Sequence, residues 1–222
     1  MKCDDPAVLA ELLCARLCHD LAGAVGAVGT GVELLADDGV GGELADDALA
    51  LLAGSAAAAI HRLKFLRVAL GGAGCAMSSD QMRAIIGDFL NSRMGEADMV
   101  RLEWRDGEQR NWDGDEVKLL LNMVLLARDC LPRGGSVSVE RLPAASCGLR
   151  ITAQGVGMMT AESVKALHAT DVSTLRPRGA QGFYTALLAS RMSLSINYED
   201  SHDRMVFVTI QKQKNEKGGA GF

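Results

Sequence analysis

The chain has 222 residues, 48% hydrophobic and 23% charged, a mix that buries a core and excludes wholesale disorder. Its formal net charge of −5 argues against nucleic-acid partners, because neutralising phosphates needs a surplus of Lys and Arg. Asp4 and Asp5 interrupt the N-terminus, and no basic start precedes an apolar run, so a signal peptide is not expected. The uncharged stretch 48–60 falls short of the roughly 20 residues that span a bilayer. Six cysteines (Cys3, Cys14, Cys18, Cys75, Cys130 and Cys147) form no CxxC pair and read as reduced thiols, so a cytoplasmic protein with no metal centre and no membrane partner is expected.

In chain order, Leu17, Leu21, Ala24, Val28, Val32 and Leu35 recur at helical spacing, as do Leu49, Leu52, Ala56, Ile60, Leu63 and Leu70. The breaker cluster 37–42 between them predicts an antiparallel helical hairpin over 1–72. One hairpin cannot cover both stripes, so a homodimer forming a four-helix bundle is expected. Gly71-Gly72-Ala73-Gly74 reads as a linker to a second unit, 76–211. There Ser78-x-x-Gln81 and Asp113-x-x-Glu116 resemble capping boxes opening helices to about Asn91 and Leu131. Strands are predicted at 99–105, 136–142 and 148–153, the last two joined by a turn at Pro143. Helices are predicted at 161–169 and 181–192, and a final hairpin at 193–198 and 204–211. The fold class is α+β: a helical hairpin followed by an α/β sandwich, with a polar, Gly-rich tail at 212–222.

At about 100° per residue, His19 falls roughly opposite the apolar stripe of the first helix, exposed in mid-helix. Arg16, Asp20 and Gly23 lie on the flank of the same face, with Ala15, Ala22 and Gly26 around them, and the small residues let another protein approach closely. A turn centred near Gly41 sets His19 level with His61, Arg62, Lys64 and Arg67, a basic belt suited to a phosphoryl group or an acidic partner. A solvated histidine on an ordinary charged face is the alternative. His168 and His202 lie outside the hairpin and read as structural or solvated.

Ala15-Arg16-Leu17-Cys18-His19-Asp20-Leu21 resembles the phosphoacceptor helix of sensor histidine kinases, and the Gly-Ala-Val-Gly-Ala-Val-Gly run after it is closer to the ChpT-type histidine phosphotransferases of alphaproteobacteria. The resemblance extends over nearly the whole chain. Asn122 lies where the kinase ATPase fold has its Asn-bearing helix. Ile151-Thr-Ala153-Gln-Gly155-Val-Gly157-Met resembles the Asp-x-Gly-x-Gly box, and Gly179-Ala-Gln-Gly182 occupies the second glycine box. The departures imply a degenerate nucleotide site. Ala153 replaces the carboxylate that reads adenine, and Phe183 and Tyr184 follow Gly182 where small or aliphatic residues are expected.

The resemblance implies a relay. His19, oriented by Asp20, would take a phosphoryl group from the receiver domain of a hybrid histidine kinase and pass it to response regulators. No cofactor is implied for the chain itself; Mg²⁺ would belong to the receiver. Two other readings stay open: an active ATP-dependent kinase of the same fold, and a non-enzymatic dimeric adaptor.

Overall fold

A computed structural model describes residues 4–38, 45–72, 74–92, 99–105, 111–142 and 148–212. The centre of the predicted breaker cluster, the turn at Pro143 and residues 213–222 lie outside them. Helix α1 spans Pro6–Asp38 and α2 spans Ala45–Leu70. Arg62 Nη1 donates to the Asp20 carbonyl at 3.1 Å. Gly31 lies against Leu52, so close that a Cβ added there would sit 3.1 Å from the leucine Cβ. Both pairs are symmetric about residue 41 or its neighbour, the register of the predicted hairpin.

A single hairpin leaves part of both apolar stripes uncovered, as the sequence leads one to expect. Ala45, Ala48, Ser55, Ala58, Phe65, Leu66 and Ala69 are the buried residues of α2. Val25 and Val32 on α1 and Leu49, Ile60 and Leu63 on α2 are exposed, at 48–57% of their surface. Small side chains let the helix backbones approach, and Val32, Leu49, Ile60 and Leu63 of the bulky stripes are left facing outward.

After α2 come strand β1 (Met77–Ser78), helix α3 (Ser79–Leu90), strands β2 (Val100–Trp104) and β3 (Asn111–Trp112), and helix α4 (Gly114–Asp129). Both predicted capping boxes are present. Ser78 Oγ accepts from the Gln81 amide while Gln81 answers the Ser78 amide, and Asp113 and Glu116 do the same for α4. Strands β4 (Gly135–Arg141) and β5 (Leu149–Gln154) follow, then a single α-turn, α5 (Glu162–Lys165), continued by a 3-10 turn at Ala166–His168. A second 3-10 turn (Val172–Thr174), helix α6 (Pro177–Arg191) and the hairpin of β6 (Leu194–Ser201) and β7 (Arg204–Gln211) complete the chain. Lys212, assigned from sequence to the tail, is fixed: its amide donates to the Ser193 carbonyl and its ammonium to Ser190 Oγ.

The main sheet has the order β2-β4-β5-β7-β6, with β2 parallel to β4 and the other pairs antiparallel. Helices α3, α4 and α6 cover one face. Period-2 alternation sends Val137, Val139, Met205 and Phe207 into the core between sheet and helices. The glycine turn into β4 is obligatory: Gly135 has φ +137, and a Cβ there would lie 2.2 Å from the Gln154 carbonyl oxygen.

The hairpin and the sheet-bearing part share a continuous seam. Near the start of α1, Leu9 packs with Val172, Ala180, Phe183 and Leu187. Farther along, Phe65 of α2 stacks on Phe89 of α3, ring centroids 4.0 Å apart. At the end of α2, where carbonyls lack intrahelical donors, Asn122 Nδ2 donates to the Ala69 carbonyl at 2.8 Å and Lys118 Nζ to the Gly71 carbonyl at 2.6 Å. A lysine there also suits the negative end of the helix dipole.

Candidate functional site

His19 sits mid-helix on α1 with 68% of its side chain exposed. Its Nδ1 lies 3.3 Å from Asp20 Oδ1. With the proton on Nδ1, that contact is an N–H donating to a carboxylate, and Nε2 keeps its lone pair. The other Asp20 oxygen accepts from Arg16 Nε at 2.7 Å.

Arg16 does not belong to an exposed docking face, contrary to the sequence reading. It is buried, and its guanidinium forks onto the Asp129 carboxylate through Nη1 at 3.1 Å and Nη2 at 2.7 Å. Asp129 also accepts from Ser163 Oγ at 2.7 Å. Burial works against the Arg16 cation, but the charges and hydrogen bonds of Asp129 and Asp20 outweigh it and raise its pKa.

His19 opens onto a cleft of about 700 Å³ between the hairpin and the end of α4. Arg16, Asp20, Gly23 and Arg62 lie on its hairpin side; Asp129, Met159, Lys165 and Arg178 lie opposite. Of the predicted basic belt, Arg62 is the member on this cleft. It is half-buried, with Nε and Nη2 directed to Ser92 Oγ and O. Lys64 and Arg67 are exposed elsewhere on α2, and His61 is half-buried. Ala15, Ala22, Gly23 and Gly26 are exposed around His19, and a Cβ built on either glycine meets nothing within 4 Å. His168 stacks on Tyr198 and His202 lies exposed in the β6–β7 turn, both far along the chain from this surface.

Lys165 and Arg178, exposed cations across the cleft, were missed by the sequence reading, as was Asp129. A weak signal for Asp129 existed: it ends α4, where the helix dipole disfavours an anion unless a cation answers it.

Of the residues read as a degenerate nucleotide site, Asn122, Ala153, Gly179 and Gly182 are packed into the fold, while Gly155 is half-buried and Gly157 exposed. Asn122 has no exposed surface. Its Nδ2 also donates to Lys118 O at 2.7 Å, and its Oδ1 accepts from Gln181 Nε2 at 2.5 Å. Ala153 is buried in the central strand, paired between Val137 and Met205. Gly179 and Gly182 lie within α6, not in a loop, and a Cβ on Gly182 would run into the Ser163 carbonyl. The Gly182 amide lies beyond the first turn and is committed to the helix, and Gly179, in that first turn, is itself buried. Gly155 donates its amide to Asp203 O, and Gly157, at φ +68, turns the chain beside Arg133.

The family model for the histidine phosphotransferase C-terminal domain matches residues 81–204. The protein phosphotransferase ChpT of Brucella abortus (strain 2308) is 34% identical over 212 residues, covering 90% of this chain and 93% of that protein. A solved bacterial phosphotransferase shares the fold at a TM-score of 0.77 and 28% identity, covering 93% of this chain and 97% of that one.

Proposed function

The chain belongs to the ChpT-type histidine phosphotransferases, and from that premise we propose that it is a cytoplasmic phosphorelay intermediate working through His19. The carrying observation is an exposed imidazole whose Nδ1 faces a carboxylate, which leaves Nε2 as the nitrogen without that partner.

A receiver domain of a hybrid kinase presents an aspartyl phosphate. Nε2 of His19 attacks phosphorus; the N–P bond forms as the P–O bond to the aspartate breaks, and the carboxylate leaves. The ring then carries positive charge, which Asp20 stabilises through the Nδ1 proton. The reverse step, onto the aspartate of a response regulator, uses the same geometry. Phosphoryl transfer of this kind asks for positioning and charge neutralisation, with Mg²⁺ supplied by the receiver. The burial of Asn122, Ala153, Gly179 and Gly182 favours a relay over an ATP-using kinase. Incubation with a phosphorylated receiver should place acid-labile, base-stable phosphate on this chain. An adaptor would bind the receiver and take no label.

A second copy of the chain covers the exposed Val25, Val32, Leu49 and Ile60, completing a four-helix bundle. Helix α2 is long and apolar enough to cross a membrane by length and composition alone. Its Asp46, Asp47, Arg62, Lys64 and Arg67 suit a water-exposed bundle better. Light scattering at micromolar concentration should give a dimer. Val32→Glu with Leu49→Glu should give a monomer with intact helicity; a monomeric parent protein would contradict the bundle.

The small residues beside His19 leave room for the receiver. Gly23→Leu or Gly26→Leu should raise helix stability by up to about 1 kcal/mol, since neither position is crowded. Both should slow transfer from a phosphorylated receiver. Normal transfer in both variants would place the docking face elsewhere.

A further inference from the structure

We propose that Arg16 and Asp129 are positioning residues for His19, so that the end of α4 governs which imidazole nitrogen is free to accept phosphate. The inference rests on the relay reading and assigns the sheet-bearing part of the chain a role in that chemistry.

The observation is a chain of alternating charge. Ser163 Oγ donates to Asp129, Asp129 accepts both terminal nitrogens of Arg16, Arg16 Nε donates to Asp20, and Asp20 faces His19 Nδ1. It links residues 113 positions apart in sequence. The fork on Asp129 uses the geometry that suits a guanidinium to bidentate pairing. It fixes the plane of the Arg16 head, and hence the direction of Nε. Nε in turn holds one Asp20 oxygen and leaves the other for the imidazole.

The guanidinium is largely buried, so water replaces a lost carboxylate partner poorly. If Asp129 loses its charge, the freed Arg16 nitrogens turn to Asp20, the carboxylate that Arg16 already holds through Nε. Asp20 would then be drawn away from His19. The Nδ1 proton loses its acceptor, the Nε2–H tautomer gains population, and the nucleophilic lone pair is lost from the exposed nitrogen in that fraction. A simple brace between α1 and α4 makes a different prediction: lower stability with the chemistry of each folded molecule unchanged.

Two measurements on the intact chain separate these. The ¹⁵N shifts of the His19 ring report the tautomer ratio without any phosphoryl donor. Single-turnover transfer from a phosphorylated receiver, at limiting and saturating concentrations, separates maximal rate from half-saturation. Asp129→Asn should shift the ratio toward Nε2–H, in the direction that Asp20→Asn shifts it. It should lower the maximal rate by about ten- to a hundredfold, the scale on which residues orienting a functional imidazole act, with half-saturation little changed. Ser163→Ala keeps every charge and should move both readouts the same way by less; it decides the matter if Asp129→Asn does not fold. A parent-like tautomer ratio and maximal rate in both variants would overturn the proposal, as would a loss confined to half-saturation, which marks a partner contact. If the parent protein takes no phosphoryl group, the relay reading falls, and the tautomer ratio alone decides the positioning role.

Discussion

His19→Gln should abolish phosphoryl acceptance and leave the protein folded. Glutamine matches the size and polarity of histidine, but its amide nitrogen has no available lone pair, so the N–P bond cannot form. The side chain is 68% exposed, and among the described residues its polar contact is the 3.3 Å approach to Asp20. Removing it should change stability by less than about 0.5 kcal/mol. Thermal denaturation and light scattering should match the parent protein while transfer from a phosphorylated receiver falls to background. His19→Ala should behave alike, which separates lost nucleophile from altered hydrogen bonding. Label retained in His19→Gln would remove this residue from the mechanism and make the half-buried His61 the next position to test.

Asn122→Ala should do the reverse, leaving His19 chemistry available but costing fold stability. In an ATP-binding relative of this fold the corresponding asparagine would be wanted for the nucleotide. Here its amide joins the end of α2 to α4 and α6 through Ala69 O, Lys118 O and Gln181 Nε2. Truncation leaves the buried Gln181 amide without this acceptor and takes the Asn122 donor from the Ala69 carbonyl. Each buried group left unsatisfied costs about 1–3 kcal/mol. A loss of about 3 kcal/mol is expected, which for a chain of this size is a Tm lower by about 6–12 °C. Asn122→Asp should be at least as damaging, because it loses the same donors and buries a charge. A Tm within about 1 °C of the parent for both variants would mean the amide has no structural role and would reopen the nucleotide reading.

These two residues also mark what could be read from sequence. His19 was legible because mid-helix exposure follows from the 3.6-residue period alone, and the hairpin register followed from the breaker cluster, as the Arg62–Asp20 contact bears out. The capping boxes at Ser78 and Asp113 were legible because their chemistry is complete within four residues. Helix α6 was placed four residues late, at Gln181 instead of Pro177. Gly179 and Gly182 look like loop residues, yet Gly182 is small because α6 passes directly over the Ser163 carbonyl. Phe183, noticed as out of place in a glycine box, turns out to be a core residue under Leu9 of α1.

The apolar stripes were legible as faces and not as contacts. Val32, Leu49, Ile60 and Leu63 fit the helical period but remain exposed, while Ala48, Ser55 and Ala58 are buried. Periodicity finds a face without saying what covers it. Arg16 was assigned to the surface because a charged residue beside an exposed histidine looks solvated. Its partner Asp129 lies at the far end of a helix in another part of the chain, and no local pattern joins them.

A relay and a kinase differ most sharply in the donor they accept. The parent protein should be incubated in parallel with labelled Mg·ATP alone and with a labelled phospho-receiver, followed by mapping of any acid-labile phosphate. A relay requires no label from ATP, and from the receiver a single phosphorylated residue, His19. Label taken from ATP alone, or a receiver-derived phosphate on any residue other than His19, would contradict it.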